Sequence, residues 1–116
     1  MLKIFLFLFF LFSQLFSAVY TAKEAWNHVG EKALVCGKVV SIYYAKKSRG
    51  KPTFLNLEGN YPNQLFTVII WDESRSDFKN IQNYKGKQLC FEGTIESYKE
   101  RPQMIIESPT KITPKR

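Results

Sequence analysis

The chain has 116 residues, 17 basic against 10 acidic, and a formal net charge of +7. That is one domain at most, which excludes a multi-part active site with a cofactor domain of its own. Hydrophobic residues make up 45%, but six of the ten phenylalanines fall within the first sixteen positions, so the average overstates the core.

Those positions read as a secretory signal peptide, residues 1–17. Lys3 supplies the charge, Ile4 to Phe12 is uncharged and greasy, and Ser13 to Ala18 is dominated by small and polar residues. The apolar run is short for a membrane span, which needs about 20 residues. An uncleaved N-terminal anchor is the alternative. Cleavage after Ser17 leaves 99 residues with 16 basic and 10 acidic side chains, hence +6. A small, exported, basic domain points to an anionic partner: nucleic acid, anionic glycan or a membrane surface. The expected location is the periplasm or the medium. Export also implies an oxidising compartment, where two cysteines, Cys36 and Cys90, are usually a disulfide. With one histidine besides, no metal site is expected.

Residues 18–31 form a lead-in, with helical spacing of Ala22, Ala25, Trp26 and Val29 and a stop at Gly30. From Lys32 the period becomes two, predicting a long strand with Gly37 at its middle. Tyr43 to Pro52 is a basic loop. Thr53 to Leu57 is a short strand, Glu58 to Asn63 a turn, and Leu65 to Trp71 a strand of strong strand formers. Asp72 to Tyr84 reads as one short helix with Asp72 or Ser74 as cap. Lys87 to Tyr98 is a second long strand carrying Gly93. Lys99 to Pro102 is a tight loop, Gln103 to Glu107 the last strand, and residues 109–116 a flexible basic tail.

The predicted fold is therefore all-β: a five-stranded OB-fold Greek-key barrel over residues 32–108, with one short helix between the third and fourth strands. Alternation puts Val35, Val39, Leu55 and Leu57 inside. It turns Cys36 and Cys90 outward on the first and fourth strands, which neighbour each other in such a barrel, so a disulfide between them is geometrically plausible.

The chain resembles exported bacterial OB-fold nucleic-acid-binding domains, related to the tRNA-anti-like anticodon-binding domains and to OB domains attached to secreted nucleases. The resemblance rests on His28-Val29-Gly30-Glu31 into Val35-Cys36-Gly37-Lys38-Val39, Ser48 to Leu57, Tyr61-Pro62-Asn63-Gln64 into Phe66 to Trp71, Tyr84-Lys85-Gly86-Lys87 into Cys90 and Gly93-Thr94-Ile95, and Arg101 to Ile105. It implies a site on the second and third strands, flanked by the first–second and fourth–fifth loops. It carries over Phe54 as an outward aromatic that stacks on a base. No acidic partner carries over, because the next outward position holds Asn56.

The residues themselves add a basic loop, Lys46, Lys47, Arg49 and Lys51, free of acids and bracketed by Tyr43, Tyr44 and Phe54. Bases stacking on aromatics while cations meet phosphates is how single strands are bound. The merely solvated loop is the bland counterpart. Arg101 and Lys99 flank Glu100 in the opposite loop. Trp71 faces the ligand in one register and the core in the other.

The expected function is binding of single-stranded DNA or RNA with little sequence preference, by Tyr44, Lys46, Lys47, Arg49, Lys51, Phe54, Asn56, Trp71 and Arg101. No cofactor and no catalytic residue are expected. The alternative is a periplasmic protein-interaction or small-ligand module. A secreted nuclease is a candidate partner, and the mature form is expected to be a monomer away from the membrane. A third reading, a metal-dependent nuclease, would draw on Asp72, Glu73, Asp77 and Arg75, but those lie along one predicted helix rather than across a pocket.

Overall fold

The computed structural model describes residues 17–115. The predicted signal peptide therefore lies, but for Ser17, outside the described residues. The remainder is all-β with an OB-like barrel topology. Its strands are β1 (Ala18–Thr21), β2 (Lys32–Tyr44), β3 (Thr53–Leu57), β4 (Phe66–Ile70), β5 (Gln88–Thr94), β6 (Glu96–Tyr98), β7 (Arg101–Ile105) and β8 (Ile112–Pro114), with a single α-helical turn, α1 (Asp72–Arg75).

The strand order is β6-β7-β4-β3-β2-β5-β8, with β1 attached to β2. β5 and β6 stand far apart in that order yet are separated in the chain by Ile95 alone. One continuous run thus starts against β2 and ends against β7, and this closes the barrel. The backbone of Ile95 is held at the seam: its N–H donates to the Glu31 carbonyl at 2.9 Å, and its carbonyl accepts from Gly30 N–H at 2.7 Å.

The barrel interior takes in Val35, Val39, Leu55 and Leu57, which alternation puts inside, and extends well beyond them. Val35 and Val39 of β2, Leu55 and Leu57 of β3, Phe66, Val68 and Ile70 of β4, and Phe91 of β5 are fully buried together with Ile95, Met104 and Ile106. Gly93 is where β5 passes Met104: a Cβ there would lie 2.8 Å from the Met104 side chain, so any larger residue would force Met104 to shift.

Eight strands replace the five expected. The long fourth strand is divided at Ile95, and both ends of the barrel sequence contribute an additional strand. In place of a helical lead-in, Ala18–Thr21 pairs in parallel with Ala33–Cys36, because Val19, Tyr20 and Thr21 are strand formers lying against the β2 edge. Only Glu24–His28 winds, as a 3₁₀ turn that drops Ala25 into the core. In place of a loose tail, Pro109–Lys111 forms a 3₁₀ turn and β8 pairs with β5 through Ile112, Thr113 and Pro114. The predicted single helix is two short pieces, α1 and a 3₁₀ turn at Ile81–Tyr84, separated by Asn80 in the left-handed region (φ 57°). Trp71, not Asp72 or Ser74, takes the N-cap position of α1.

Cys36 and Cys90 are directly opposed on β2 and β5 and form a disulfide. Both are on the side away from the core, as alternation predicts, but are nearly covered (5% and 8% exposed). β1 pairs with β2 at Thr21↔Cys36, and β8 pairs with β5 at Cys90↔Thr113, so the bridge sits between two added strands. A disulfide is compatible with an exported protein. Among the described residues no helix is long and apolar enough to cross a membrane.

Candidate nucleic-acid interface

The outer face of β2, β3, β4, β7 and β6 carries a groove of about 820 Å³. Sheet register builds it in rows. Ser41 pairs with Asn56, Asn56 with Thr67, Thr67 with Gln103 and Gln103 with Glu96, giving one polar row across five strands. Two residues along, Tyr43 pairs with Phe54, Phe54 with Ile69 and Ile69 with Ile105, giving an apolar row beside it. The rim carries Asn60, Tyr61 and Gln64 of the β3–β4 loop and Tyr98, Lys99 and Arg101 at the β6–β7 turn.

The rings of Tyr43 and Phe54 lie 8° from parallel with centroids 6.5 Å apart. Tyr43, Tyr61 and Tyr98 are well exposed, Tyr61 most of all at 76%. Lys99 Nζ sits 5.4 Å from the Tyr98 ring centre, a cation–π contact that gathers charge and ring on the same rim. Lys99 and Glu100 have φ of 50° and 62°, so the β6–β7 turn is a two-residue hairpin of the I′ type, built without the usual Asn-Gly.

A hydrogen-bond chain runs along the floor. Gln64 Nε2 donates to Thr67 Oγ1 (3.1 Å), Thr67 Oγ1 donates to Asn56 Oδ1 (3.3 Å), and Asn56 Nδ2 donates to Ser41 Oγ (3.0 Å). The chain explains how Asn56 can be 4% exposed on an outward face. Gln64 Oε1 is shielded from solvent and has no hydrogen-bond partner among the described residues.

Phe54, Asn56 and Arg101 of the predicted set are in this groove. Tyr44 is not. A β-bulge between Val39 and Ser41 reverses the inside–outside alternation of β2, so Tyr43 faces the groove and Tyr44 the opposite side. There the Tyr44 hydroxyl donates to Asp72 Oδ1 at 2.9 Å, a bond that raises the phenol above its ordinary value. The Arg75 guanidinium stacks 3.9 Å from the Tyr44 ring centre and donates from Nε to Thr53 Oγ1 at 3.1 Å. Asp72 and Arg75, which the nuclease reading would need, are thus engaged in holding α1 to the barrel. Among the described residues no three His, Cys, Asp or Glu side chains gather into a metal-binding group.

Trp71 is also outside the groove. It is half-buried and packs on the β2–β3 loop, where a Cβ on Gly50 would come within 2.9 Å of its ring. It lines a small cleft with Gly50, Lys51, Asp72 and Glu73. Lys46, Lys47, Arg49 and Lys51 are exposed in that loop and do not line the groove. They stand just past Tyr44↔Thr53, the last pair of β2 and β3, at the end of the aromatic row. The loop is braced by Ala45 N–H to Pro52 O (2.8 Å) and Lys51 N–H to Ser48 O (3.0 Å). Among the described residues none of its cations forms a salt bridge.

Ser41, Tyr43, Tyr61, Gln64, Thr67, Tyr98 and Gln103 line the groove but lie outside the predicted set. Tyr61 and Tyr98 carry a usable signal, being aromatics in loops that flank an OB face. Thr67 and Gln103 follow from alternation once the strand ends are known.

No protein-family model matches the chain, and no curated protein matches it. Solved structures do. An aspartyl-tRNA synthetase from Leishmania major Friedlin superposes with a TM-score of 0.54 at 13% identity, over 88% of this chain and 22% of that one. The chain thus spans about a fifth of the synthetase's length. OBody AM1L10, bound to hen egg-white lysozyme, gives a TM-score of 0.51 at 14% identity, over 88% of this chain and 94% of that one. OBody AM2EP06, also bound to lysozyme, gives 0.50 at 12%, over 87% and 94%. At these identities the likeness establishes the OB-like fold.

Proposed function

We propose that the protein is an exported OB-fold domain that binds single-stranded nucleic acid in the groove over β2, β3 and β4. The observation that carries the reading is the parallel Tyr43–Phe54 pair, flanked by Tyr61 and Tyr98 and bounded by cations at both ends. Aromatic faces accept unstacked bases, while Lys99 and Arg101 on one side and Lys46, Lys47, Arg49 and Lys51 beyond the other are placed to meet phosphates. The net charge of +7 favours a polyanion. A synthetase acting on tRNA among the structural neighbours supports the same ligand class. The disulfide and the N-terminal sequence support export. The reading is of a binding protein without catalytic activity, with Asp72 and Arg75 committed to Tyr44 and Thr53.

Titration of the oxidised protein with a fluorescent single-stranded oligonucleotide at several salt concentrations tests this. Binding that weakens steeply with salt, leaving the strand intact with or without Mg²⁺, supports it. No binding at low salt rejects it. The OBody neighbours, bound to lysozyme, favour a second reading in which the same face takes a protein; that reading predicts no nucleic-acid binding at all.

A further inference from the structure

The floor of the groove is not the featureless stacking surface that sequence-indifferent binding needs. Its hydrogen-bond chain has a direction. Thr67 gives its proton to Asn56, so only an N–H of Gln64 can meet Thr67 Oγ1. The other end of the Gln64 amide, Oε1, is then left as an acceptor sheltered from water with nothing to accept from. A sheltered bare acceptor is costly, and the cost is relieved by a donor from whatever fills the groove. Gln64 lines that groove beside Asn56, Tyr61 and Thr67, within the same cavity as the Phe54 ring.

Resting on the nucleic-acid reading above, we infer that the groove selects bases by an exocyclic amino group, and takes cytosine in preference to thymine or uracil. Cytosine offers its N4 amino hydrogens where thymine offers the O4 carbonyl. The amino group satisfies Gln64 Oε1. The carbonyl sets a second acceptor against it, and the thymine N3–H lies between two such oxygens. Stacking on Phe54 and Tyr43 is indifferent to this exchange, because both pyrimidines present similar faces. Selection therefore resides in the polar row and affinity in the aromatic row.

The test compares oligo(dC) and oligo(dT) of equal length against the full oxidised protein at one salt concentration. Oligo(dC) is expected to bind about tenfold more tightly, the size of one hydrogen bond made against one acceptor clash. Gln64→Leu is expected to bring the two within about twofold of each other, with the salt slope of each unchanged. Thr67→Val, which keeps the side chain's shape but removes the oxygen that orients Gln64, is expected to do the same. Equal binding of the two strands by the unaltered protein, or tighter binding of oligo(dT), overturns the inference while leaving the proposed function standing. Binding of neither strand rejects the proposed function itself. A dC preference that survives both substitutions overturns the assignment to Gln64.

Discussion

Tyr43 and Phe54 face each other across β2 and β3 because Val40 is an extra residue. The register runs Val39↔Leu57 and then Ser41↔Asn56, so two steps along β2 match one along β3. Without that bulge Ile42 would stand opposite Phe54 and Tyr43 would point to the other side.

The two adjacent tyrosines should therefore behave oppositely. Tyr43→Ala and Phe54→Ala are each expected to weaken single-strand binding by about 1–3 kcal/mol, the range for losing a stacked base. Tyr44→Phe is expected to leave binding unchanged and to lower the melting temperature slightly, through loss of the bond to Asp72. Fluorescence titration and thermal melts of the three variants check the contrast.

The β2–β3 loop should contribute charge rather than shape. Replacing Lys46, Lys47, Arg49 and Lys51 by Gln is expected to flatten the plot of log affinity against log salt, by about 0.7 for each phosphate that is no longer neutralised. The melting temperature should hardly move, since these side chains are exposed and unpaired among the described residues. An unchanged slope would place the phosphates elsewhere.

The β6–β7 turn holds Lys99 and Glu100 in a conformation that side-chain-bearing residues disfavour. Asn-Gly is the pair such a turn prefers. Replacing Lys99-Glu100 by Asn-Gly is expected to stabilise the fold by about 1 kcal/mol, and at the same time to weaken nucleic-acid binding by removing the rim cation. Denaturant unfolding and titration of the same variant measure the two effects. A variant neither more stable nor weaker in binding would show that this turn is indifferent to both.

Reduction of Cys36–Cys90, or their joint replacement by Ser, releases a loop with a sequence separation of 54 residues. On the chain-entropy account this costs about 4 kcal/mol of stability. Chemical denaturation with and without reductant measures it.

The N-terminal turn carries a pH dependence of defined sign. Glu31 accepts from the Tyr20 hydroxyl at 2.6 Å and contacts His28 Nδ1 at 2.7 Å, and these bonds hold its carboxyl below the ordinary value of 4.5. Glu24 is lowered in the same way, first by the Thr21 N–H that donates to its Oε1 at 2.9 Å and then by the Thr21 hydroxyl. A carboxylate with a depressed folded pKa adds stability above its unfolded value, and that stability disappears as the pH falls through the folded value. Glu31→Gln should thus lower the melting temperature near neutral pH, and the difference should shrink as the pH falls below the ordinary carboxylate value and through the lowered folded one. A constant difference across that range would contradict the assignment.

Much of the barrel is legible in the sequence because β3, β5 and β2 as far as Val39 alternate between a core face and an outer face. Val35, Val39, Leu55, Leu57 and Phe91 can be placed inside from period alone. The Cys36–Cys90 pairing follows from the same alternation. Three features are not legible. The bulge at Val40 sits in Val39-Val40-Ser41, with no glycine to mark it, and it moves the site from Tyr44 to Tyr43. Trp71 reads as a strand residue, but its surroundings are set by Gly50, far away in sequence. β1 and β8 are short edge strands whose pairing is long-range, so neither has a local pattern strong enough to separate it from a loop. The polar row is invisible for a related reason: Ser41, Gln64 and Thr67 are unremarkable singly, and only the register makes them a line.

The bulge also divides β2 into two spans with different neighbours. Lys32–Lys38 is laced to β5 and carries the disulfide, whereas Ser41–Tyr44 is laced to β3 and carries the groove. A covalent staple and a groove face therefore share one strand without sharing any residue. The face can be rewritten at Ser41, Tyr43, Phe54 and Asn56 to meet a different guest while the stapled half goes on supplying the rigidity. A binding specificity on this scaffold can change without a new fold having to be found.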